Sequence, residues 1–421
     1  MKIFKLTIAL VILTLLIGFV GLCSWLCNPL DKSAWRVPMH LPIVGIVHVR
    51  AFALVQLATS PTGRAILNDT QWRSKHGNVH LKTKAQYVEL SCANCHFYLK
   101  KLSAKAIQFD VVTLSVRRID HQLSGILTTQ NAEKSIRVLY TGQANMQGID
   151  LNWSLPNKPI ADLLAPLRSH SATIQKAHVT GTLSANGTLH WPSRIWSAKP
   201  VIQGFDVTGL GTETLNTNLI NFQCPQPGEK ATISIASSQV WLDKEGLGRW
   251  LPMAVLIAED AKFMHHAGYD IETLNYLLAQ EKPNKQLGGS TISQQLAKYF
   301  FTGGEREWKR KVEELLFAVE MESTLGKQRI LNLYLNTVDW GPGICGAYEA
   351  SQFYFAVNPR ELTPIQAAWL AGIIRNPHRA WLEQYKANKP DQKRIQAITR
   401  YMPKRVHLLP IQLNFTQPTD S

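Results

Sequence analysis

The hydrophobic pattern of this chain changes period near residue 237, and this change divides the sequence into two kinds of fold. Between about residues 77 and 234, apolar and polar residues alternate in short runs such as 106–112 and 135–140. This alternation is typical of half-buried β-strands. Beyond Ser237 the apolar residues recur at helical spacing. We therefore predict an all-β middle domain followed by a mostly helical domain.

Within the β-rich part, three local signals give finer expectations. Residues 43–58 and 160–167 have the composition of helices. Asn186-Gly187 separates two alternating runs, 180–184 and 188–191, and therefore predicts a tight hairpin turn.

Helix signals in the second half are stronger. Residues 308–322 place four apolar side chains on one stripe. Thr363-Pro364 combines an N-cap residue with proline at the first helical position, which predicts a helix start.

The N-terminal residues 6–27 form a nearly uncharged apolar stretch, long enough to cross a bilayer as a helix. Lys2 and Lys5 precede it, so the positive-inside rule places the N-terminus in the cytoplasm and the bulk of the chain outside. A cleaved signal peptide is the alternative, but no small-x-small cleavage site follows. The predicted organisation is an anchor at 1–30, a β-rich domain at 31–236, a helical domain at 237–402 and a tail at 403–421.

The chain is strongly basic, with 45 Lys+Arg against 30 Asp+Glu and a net charge of +15. In a cytosolic protein this balance would suggest nucleic acid. Behind a membrane anchor it fits anionic headgroups or a pyrophosphate-bearing substrate better, so we expect a membrane partner and no nucleic acid.

Six cysteines are present, and an extracytoplasmic location permits disulfides. Cys92-Ala93-Asn94-Cys95-His96 fits the attachment pattern of c-type haem. The flanking residues have strand character, so a disulfide between Cys92 and Cys95 is the preferred interpretation. Haem attachment and thioredoxin-like redox chemistry remain alternatives.

Two runs in the helical half carry the chemistry. The first is Glu259-Asp260-Ala261-Lys262-Phe263-Met264-His265-His266-Ala267-Gly268, which follows the apolar residues 253–258. A carboxyl group at the end of a buried helix is desolvated, and its raised pKa suits a general base. The second run is Gly288-Gly289-Ser290-Thr291-Ile292-Ser293-Gln294-Gln295-Leu296-Ala297-Lys298. If Ser290 caps a helix, Gln294 and Lys298 share one face and present donors and a cation to an anion, assisted by the helix N-terminus.

Together these runs resemble the first two motifs of the family-51 peptidoglycan glycosyltransferases, which polymerise lipid II into glycan strands. Arg310-Lys311-Val312-Glu313-Glu314 is similar to the third motif, and residues 327–336, 340–344 and 366–372 are similar to later ones. The resemblance covers about 237–402 and is closest to the monofunctional branch. Neither Ser-x-x-Lys nor Lys-Thr-Gly occurs, so no transpeptidase half is expected.

The resemblance implies a lysozyme-like core, with Glu259 as base and Glu314 as the second essential carboxylate. Lys298 would be the main diphosphate ligand. The further substrate-binding candidates are Gln294, Gln295, Ser290, Thr291, Arg306 and Arg310. The supporting candidates are Asp260, Phe263, His266, Gly268 and Asn336. Without the motif, Glu314 and Arg310 would be taken for a surface ion pair worth less than about 1 kcal/mol.

By the same resemblance, the expected partners are lipid II, the growing glycan strand, the bacterial inner membrane and other cell-wall synthesis proteins. The bulk of the chain would be periplasmic, and the amphipathic residues 269–285 would touch the membrane. No protein-held metal site or obligatory cofactor is predicted, although Mg²⁺ or Mn²⁺ could take part. A non-catalytic module that binds lipid II or the cell wall, and a lytic hydrolase on the same core, are the alternatives.

Four positions depart from the family pattern. Asn332 stands in place of glutamate, Tyr299 in place of asparagine and Lys262 in place of arginine. Glu313 occupies a position that is often basic. Because Glu259, Glu314 and Lys298 are all present, we expect an active enzyme.

Overall fold

A computed structural model describes residues 35–41, 45–84, 87–97, 106–217, 221–224, 232–234, 241–279, 289–303, 308–407 and 410–416. The predicted membrane-spanning segment, 6–27, lies outside these ranges. Within them, no helix combines the length and apolar character needed to cross a bilayer.

The middle of the chain is built on one large antiparallel sheet. Its strands are β3 (Thr70–Ser74), β4 (Gly77–Thr83), β5 (Val88–Phe97), β6 (Ile107–Ile119), β7 (Gln122–Asn131), β8 (Lys134–Ala144), β9 (Ile149–Pro159), β10 (His178–Trp191), β11 (Ile195–Trp196) and β12 (Lys199–Thr208). Each strand from β3 to β10 pairs with the next in the chain, and β12 pairs with β10. The prediction of an all-β middle region is confirmed.

The smaller strands pair in twos. They are β1 (Arg36–Leu41) with β2 (Gly45–Arg50), β13 (Asn221–Gln223) with β14 (Thr232–Ser234), and β15 (Asp339–Gly341) with β16 (Ile344–Cys345). The helices of the β-rich part are α1 (Ala51–Thr59), α2 (Pro61–Leu67), α3 (Ile160–Leu164) and α4 (Ala172–Lys176).

The two faces of the large sheet differ in chemistry, because residues paired across neighbouring strands point to the same side. One row runs Leu90, Leu114, Leu127, Val138, and the adjacent row runs Ser91, Thr113, Thr128, Arg137. Helix α1 covers one end of the apolar face, where Phe52 packs with Leu123 and Ala144. Farther along this face the burial is partial, and Leu127 in mid-sheet is 36% exposed.

Two predictions for this region were wrong in detail. Residues 43–58 do not form one helix, because 45–50 pair with β1 and the helix begins at Ala51. The β-branched residues Ile46, Val47 and Val49 favour that pairing.

The predicted hairpin at Asn186-Gly187 lies inside the continuous strand β10. A Cβ atom on Gly187 would stand 2.0 Å from the Ser197 carbonyl oxygen and 2.9 Å from the Trp153 ring. This glycine therefore permits a close approach and makes no turn. The predicted helix at 160–167 is present as α3 and a following 3-10 turn, Ala165–His170.

The second half is helical. Its α-helices are α5 (Lys244–Leu247), α6 (Trp250–Glu259), α7 (Ile271–Ala279), α8 (Ile292–Ala297), α9 (Trp308–Thr324), α10 (Gly326–Thr337), α11 (Ala347–Phe355), α12 (Pro364–Ile373), α13 (Pro377–Ala380), α14 (Gln392–Thr399) and α15 (Lys404–His407). The predicted helix 308–322 corresponds to α9. Thr363 caps α12 in a capping box with Gln366, as its sequence indicates. Trp340, Trp369, Tyr334 and Leu333 are at most 1% exposed in a single large core.

The end of the β-rich part joins this helical core. Val207 and Leu215 are buried in the same cluster as Leu333. Cys224 is bonded to Cys345, 121 residues later, with Cα atoms 5.7 Å apart. The sequence analysis did not predict this pairing. In the sheet, Cys92 is joined to Cys95.

Candidate active site

Glu259 is the last residue of α6, whose Leu251, Ala254 and Val255 are fully buried. Its side chain is 12% exposed, and burial raises the pKa of its carboxyl group. A hydrogen bond from Gln295 Nε2 to Glu259 Oε2, 3.0 Å long, opposes that shift. This is the environment expected of a general base.

A hydrogen bond from Tyr334 fixes the orientation of the Gln295 amide. The Tyr334 hydroxyl donates to Gln295 Oε1 over 2.8 Å, which turns the amide N–H toward Glu259. Tyr334 is fully buried, and burial raises its pKa well above the ordinary value, so its hydroxyl stays protonated as a donor.

Asp260 ties the first motif to the second. Its carboxylate accepts from the Ile292 backbone N–H at 2.9 Å, and His266 Nε2 lies 3.0 Å from both carboxylate oxygens. His266 Nδ1 accepts from the Gly268 N–H over 3.2 Å, so Nε2 carries the proton toward Asp260. These contacts bring Asp260, His266 and Gly268, the predicted supporting residues, together beside α8.

Helix α8 begins one residue later than predicted. Thr291, and not Ser290, is the N-cap, in a capping box with Gln294. The Thr291 hydroxyl also donates to the Gly268 carbonyl over 2.8 Å, which fixes the cap in place. Asp260 accepts from the first N–H of α8, so that N–H already has a partner, and the contribution of this helix end to anion binding stays a prediction.

Glu314 lies on α9 and is 1% exposed. Its two oxygens pair with Arg310 Nη1 and, at 2.5 Å, with Lys311 Nζ, and Lys311 also donates to Ser290 Oγ over 3.0 Å. The interpretation as a surface ion pair is therefore wrong. Removing one partner of such a buried pair leaves an uncompensated charge, which is strongly destabilising.

The two glutamates face one open cleft of about 590 Å³. Cations and amides line the same space, so acidic, basic and hydrogen-bonding groups converge on it. The lining residues are Glu259, Ser290, Gln294, Gln295, Lys298, Tyr299, Arg310, Lys311, Glu314, Val338, Asp339, Ile374, Arg375 and Pro377.

The cleft lies in the part of the chain that is similar to known proteins. The family model for Transglycosylase matches residues 229–402. A protein of Thiobacillus denitrificans named biosynthetic peptidoglycan transglycosylase is 40% identical over 164 residues, which are 38% of this chain and 70% of that relative. The chain belongs to the transglycosylase family.

Two further transglycosylases carry the same name. The Alcanivorax borkumensis protein is 44% identical over 142 residues, 33% of this chain and 58% of its own length. An Acinetobacter baumannii protein is 37% identical over 166 residues, 38% of this chain and 72% of its own length. The family match begins after the large sheet, so the sheet is not part of the matched transglycosylase region.

The structure of this transglycosylase brings together most of the predicted substrate-binding residues. Ser290, Gln294, Gln295, Lys298 and Arg310 line the cleft. Thr291 adjoins it as the α8 cap, and Arg306 lies outside the described residues. Lys298 is exposed and opens a π-helical turn, Lys298–Thr302, of the kind often found at functional sites.

Other predicted residues act from behind the cleft. Phe263 is 1% exposed beneath Lys327, whose Nζ lies 4.3 Å from the ring centroid. Asn336 bonds both the N–H and the carbonyl of Leu242, at 2.9 Å each, and does not line the cleft. Asn336 therefore holds Leu242 in place at the start of the helical domain.

All four departures from the family pattern have structural partners. The Asn332 amide bonds the Trp241 indole and the Leu242 carbonyl, at 3.0 and 2.8 Å. The Tyr299 hydroxyl accepts from the Asp339 N–H over 2.6 Å. Glu313 turns away from Glu314 and accepts from the Ser171 hydroxyl at 2.6 Å. Lys262, the fourth, pairs with Glu272 on the surface.

Sequence reasoning gave no role to several residues of the site. Lys311 stood inside the third motif and could have been found there. Arg375 and Arg394 act by charge on Glu259, lowering its pKa against the effect of burial, and Arg394 Nη2 is 4.0 Å from its carboxylate. Arg394 lies 135 positions along the chain from Glu259, and its α14 position carries no local signal.

The described residues form no evident binding site for a divalent cation. Among the described residues, no group of three or more His, Cys, Asp or Glu side chains could hold a metal ion. Both oxygens of Glu314 already face basic side chains of the protein.

Proposed function

We propose that this transglycosylase polymerises lipid II into β-1,4 glycan strands and releases undecaprenyl pyrophosphate. The observation that carries the proposal is the shared cleft, in which a desolvated glutamate and a buried, cation-paired glutamate face the same space. The family membership and the names of the relatives support a peptidoglycan substrate.

In the proposed reaction, Glu259 removes the proton from the 4-hydroxyl of the acceptor sugar. The resulting oxygen nucleophile attacks the anomeric carbon of the donor from the side opposite the pyrophosphate, so the new glycosidic bond forms as the bond to the pyrophosphate breaks. A raised pKa makes Glu259 a stronger base than an exposed glutamate, and Gln295 orients it.

Negative charge grows on the departing diphosphate and requires fixed cations nearby. Lys298, Arg310, Lys311 and Arg375 line the cleft and can meet it. Glu314 has an organising role in this proposal, because it holds Arg310 and Lys311 side by side on one turn of α9.

The proposal places the protein in the bacterial inner membrane, anchored once by residues 6–27, with its bulk in the periplasm and without transpeptidase activity. The apolar N-terminal stretch and its two preceding lysines support this topology. The Cys224–Cys345 pairing suits an oxidising compartment. Leu274 and Tyr276 on α7 are 39% and 56% exposed, which suits contact with the bilayer surface.

Purified full-length protein with labelled lipid II in detergent tests the proposal. The wild type should yield glycan polymer, and Glu259→Gln should reduce the rate by about 10²-fold or more. Glu383→Gln is the matched control, because Glu383 is 59% exposed in a surface pair with Arg379, and it should leave the rate unchanged.

The other outcomes separate the alternatives. Polymer formed at the wild-type rate by Glu259→Gln would refute the assignment of the base. Lipid II retained by the wild type without polymer, with and without Mg²⁺ or Mn²⁺, would favour a binding module. Cleavage of finished glycan would favour a lytic hydrolase.

A further inference from the structure

Helix α9 carries polar side chains on two different sides. Arg310, Lys311 and Glu314 face the cleft. Glu313, Glu320 and Thr324 are spaced by seven and four residues and therefore form a separate stripe along the helix. Since consecutive helical residues are about 100° apart, Glu313 and Glu314 point in clearly different directions.

Every residue of the second stripe bonds to the β-rich part of the chain. Glu320 is 1% exposed, and its carboxylate accepts from the Leu210 N–H at 2.7 Å and the Thr212 N–H at 3.4 Å. Gly209 and Gly211 have φ angles of 89° and 87°, a left-handed conformation that shapes this turn so that both N–H groups reach one carboxylate.

The remaining contacts extend the same junction. The Thr324 hydroxyl lies 2.8 Å from the Thr212 hydroxyl at one end of α9. Near the other end, Glu313 accepts from Ser171, whose hydroxyl also caps α4 by accepting from Ile174 N–H.

Apolar packing and the next helix reinforce the junction. Leu210 and Leu215 lie in the same buried cluster as Leu316 of α9. On α10, the Arg329 guanidinium donates to the Leu215 carbonyl at 2.9 and 3.0 Å. The segment 209–215 is thus held by α9 at its turn and by α10 at Leu215.

We propose that Glu320, assisted by Glu313, is a positioning residue for glycosyl transfer. The turn 209–212 and Ser171 hold α9 at the angle that presents Arg310, Lys311 and Glu314 to the cleft, so the β-rich part belongs to the catalytic scaffold. The inference rests on the proposed polymerase function. Its energetic basis is that a displacement of about 1 Å in a catalytic group can lower a rate by roughly 10²-fold.

The β-rich side of this junction lies outside the region shared with the family. The family match begins at residue 229, after Ser171, Leu210 and Thr212. The matched transglycosylase region therefore does not itself supply these donors. The departure at Glu313 gains a physical reason, because a basic residue there could not accept the Ser171 hydroxyl.

The first test is Glu320→Gln in the full-length protein. The amide keeps one acceptor for the Leu210 N–H but places an N–H₂ donor opposite the Thr212 N–H, so the helix must shift. We expect kcat to fall about tenfold or more with KM changed less than twofold, since the contact is remote from the substrate. Ser171→Ala, a milder variant, should lower kcat a few-fold, and Glu383→Gln should leave it unchanged.

A double-mutant cycle separates positioning from general damage. If Glu320 acts through the cation cluster, Glu320→Gln should lower kcat much less in a Lys311→Gln background than in the wild type. Effects on kcat that multiply independently would overturn the inference. So would a lowered melting temperature with unchanged kcat at 25 °C.

Backbone hydrogen exchange gives a readout that does not need activity. In Glu320→Gln, the amides of residues 311–316 on α9 should exchange faster than in the wild type, while those of α12 should not. Unchanged exchange on α9 together with unchanged kcat would refute the inference and leave the polymerase function standing. A wild type that makes no polymer would refute the proposed function, and the exchange experiment would still decide whether the turn holds α9.

Discussion

The large sheet and the helical domain are stabilised in different ways. In the helical domain Trp340, Trp369 and Leu370 are at most 1% exposed, whereas Leu127, in the middle of the apolar face of the sheet, is 36% exposed. The sheet depends on ladders between strands adjacent in sequence, and the helical domain on contacts between residues far apart. A close-packed core restrains the side chains within it, and the helices that carry Glu259 and Glu314 pack on such a core.

The charged groups of the large sheet and of the helical domain also differ in burial. In the sheet, Asp150 pairs with His190 at the surface, with the aspartate 65% exposed. In the helical domain, Asp260, Glu314 and Glu320 are nearly fully buried, and each is satisfied by specific donors. Buried carboxylates of this kind specify geometry, because any displacement leaves a charge unpaired.

The largest expected contrast is between the two cysteine pairs. Cys224→Ala opens a loop of sequence separation 121 and should lower the free energy of unfolding by about 3–5 kcal/mol. Cys92→Ala opens one of separation 3 and should lower it by about 2 kcal/mol or less. Urea unfolding without reductant measures both, and equal losses would contradict the contrast.

A matched pair of leucines tests core depth directly. Leu370→Ala, at a site with 0% exposure, should destabilise the protein by about 2–5 kcal/mol. Leu127→Ala in the sheet should cost less than about 1 kcal/mol. Thermal unfolding measures the stability of both variants. A lower melting temperature for Leu127→Ala than for Leu370→Ala would contradict the difference in core depth.

A matched pair of asparagines should show a smaller difference. Asn332→Ala removes two bonds to Trp241 and Leu242 and should cost about 1–2 kcal/mol without altering polymerisation at 25 °C, because Asn332 does not line the cleft. Asn131→Ala, which removes one exposed bond to the Gln108 carbonyl, should cost a few tenths of a kcal/mol. A large loss of kcat in Asn332→Ala would mean that this departure from the family pattern affects catalysis.

The smallest expected effect is a displacement of a pH profile. Gln295→Ala removes an N–H that stabilises the ionised form of Glu259, so the pKa of Glu259 should rise further. The acid limb of kcat/KM should therefore move to higher pH. Asp150→Asn in the sheet is the control and should leave the limb in place. A limb that moves to lower pH in Gln295→Ala would show that another group controls it.

The sequence was most informative where motif and periodicity coincide. Glu259, Gln295, Lys298 and Glu314 were predicted from ordered motifs, and they line one cleft. Helix α9 was predicted from its apolar stripe, and α12 from the helix-start signal at Thr363-Pro364. Both signals depend only on residues close together in the sequence. The predicted domain limits and the anchor remain predictions.

What could not be predicted depends on partners distant in the chain. Nothing near Arg394 indicates that it reaches Glu259, and nothing near Glu320 indicates that a turn at 209–212 will meet it. Asn186-Gly187 shows the same limit within a strand. Its composition indicates a turn, but the decisive fact is the close approach of Trp153 on β9 and of Ser197, just after β11.

Gly268 stands where three segments of the helical domain touch. Its N–H bonds His266, its carbonyl accepts from Thr291, and a methyl group in place of its hydrogen would come within 3.0 Å of the Ala318 backbone on α9. With φ at 85°, the backbone there also disfavours any other residue. A side chain at this position would therefore push apart the loop after Glu259, the cap of α8 and the helix bearing Glu314, and we expect it to lower activity without altering a reactive group.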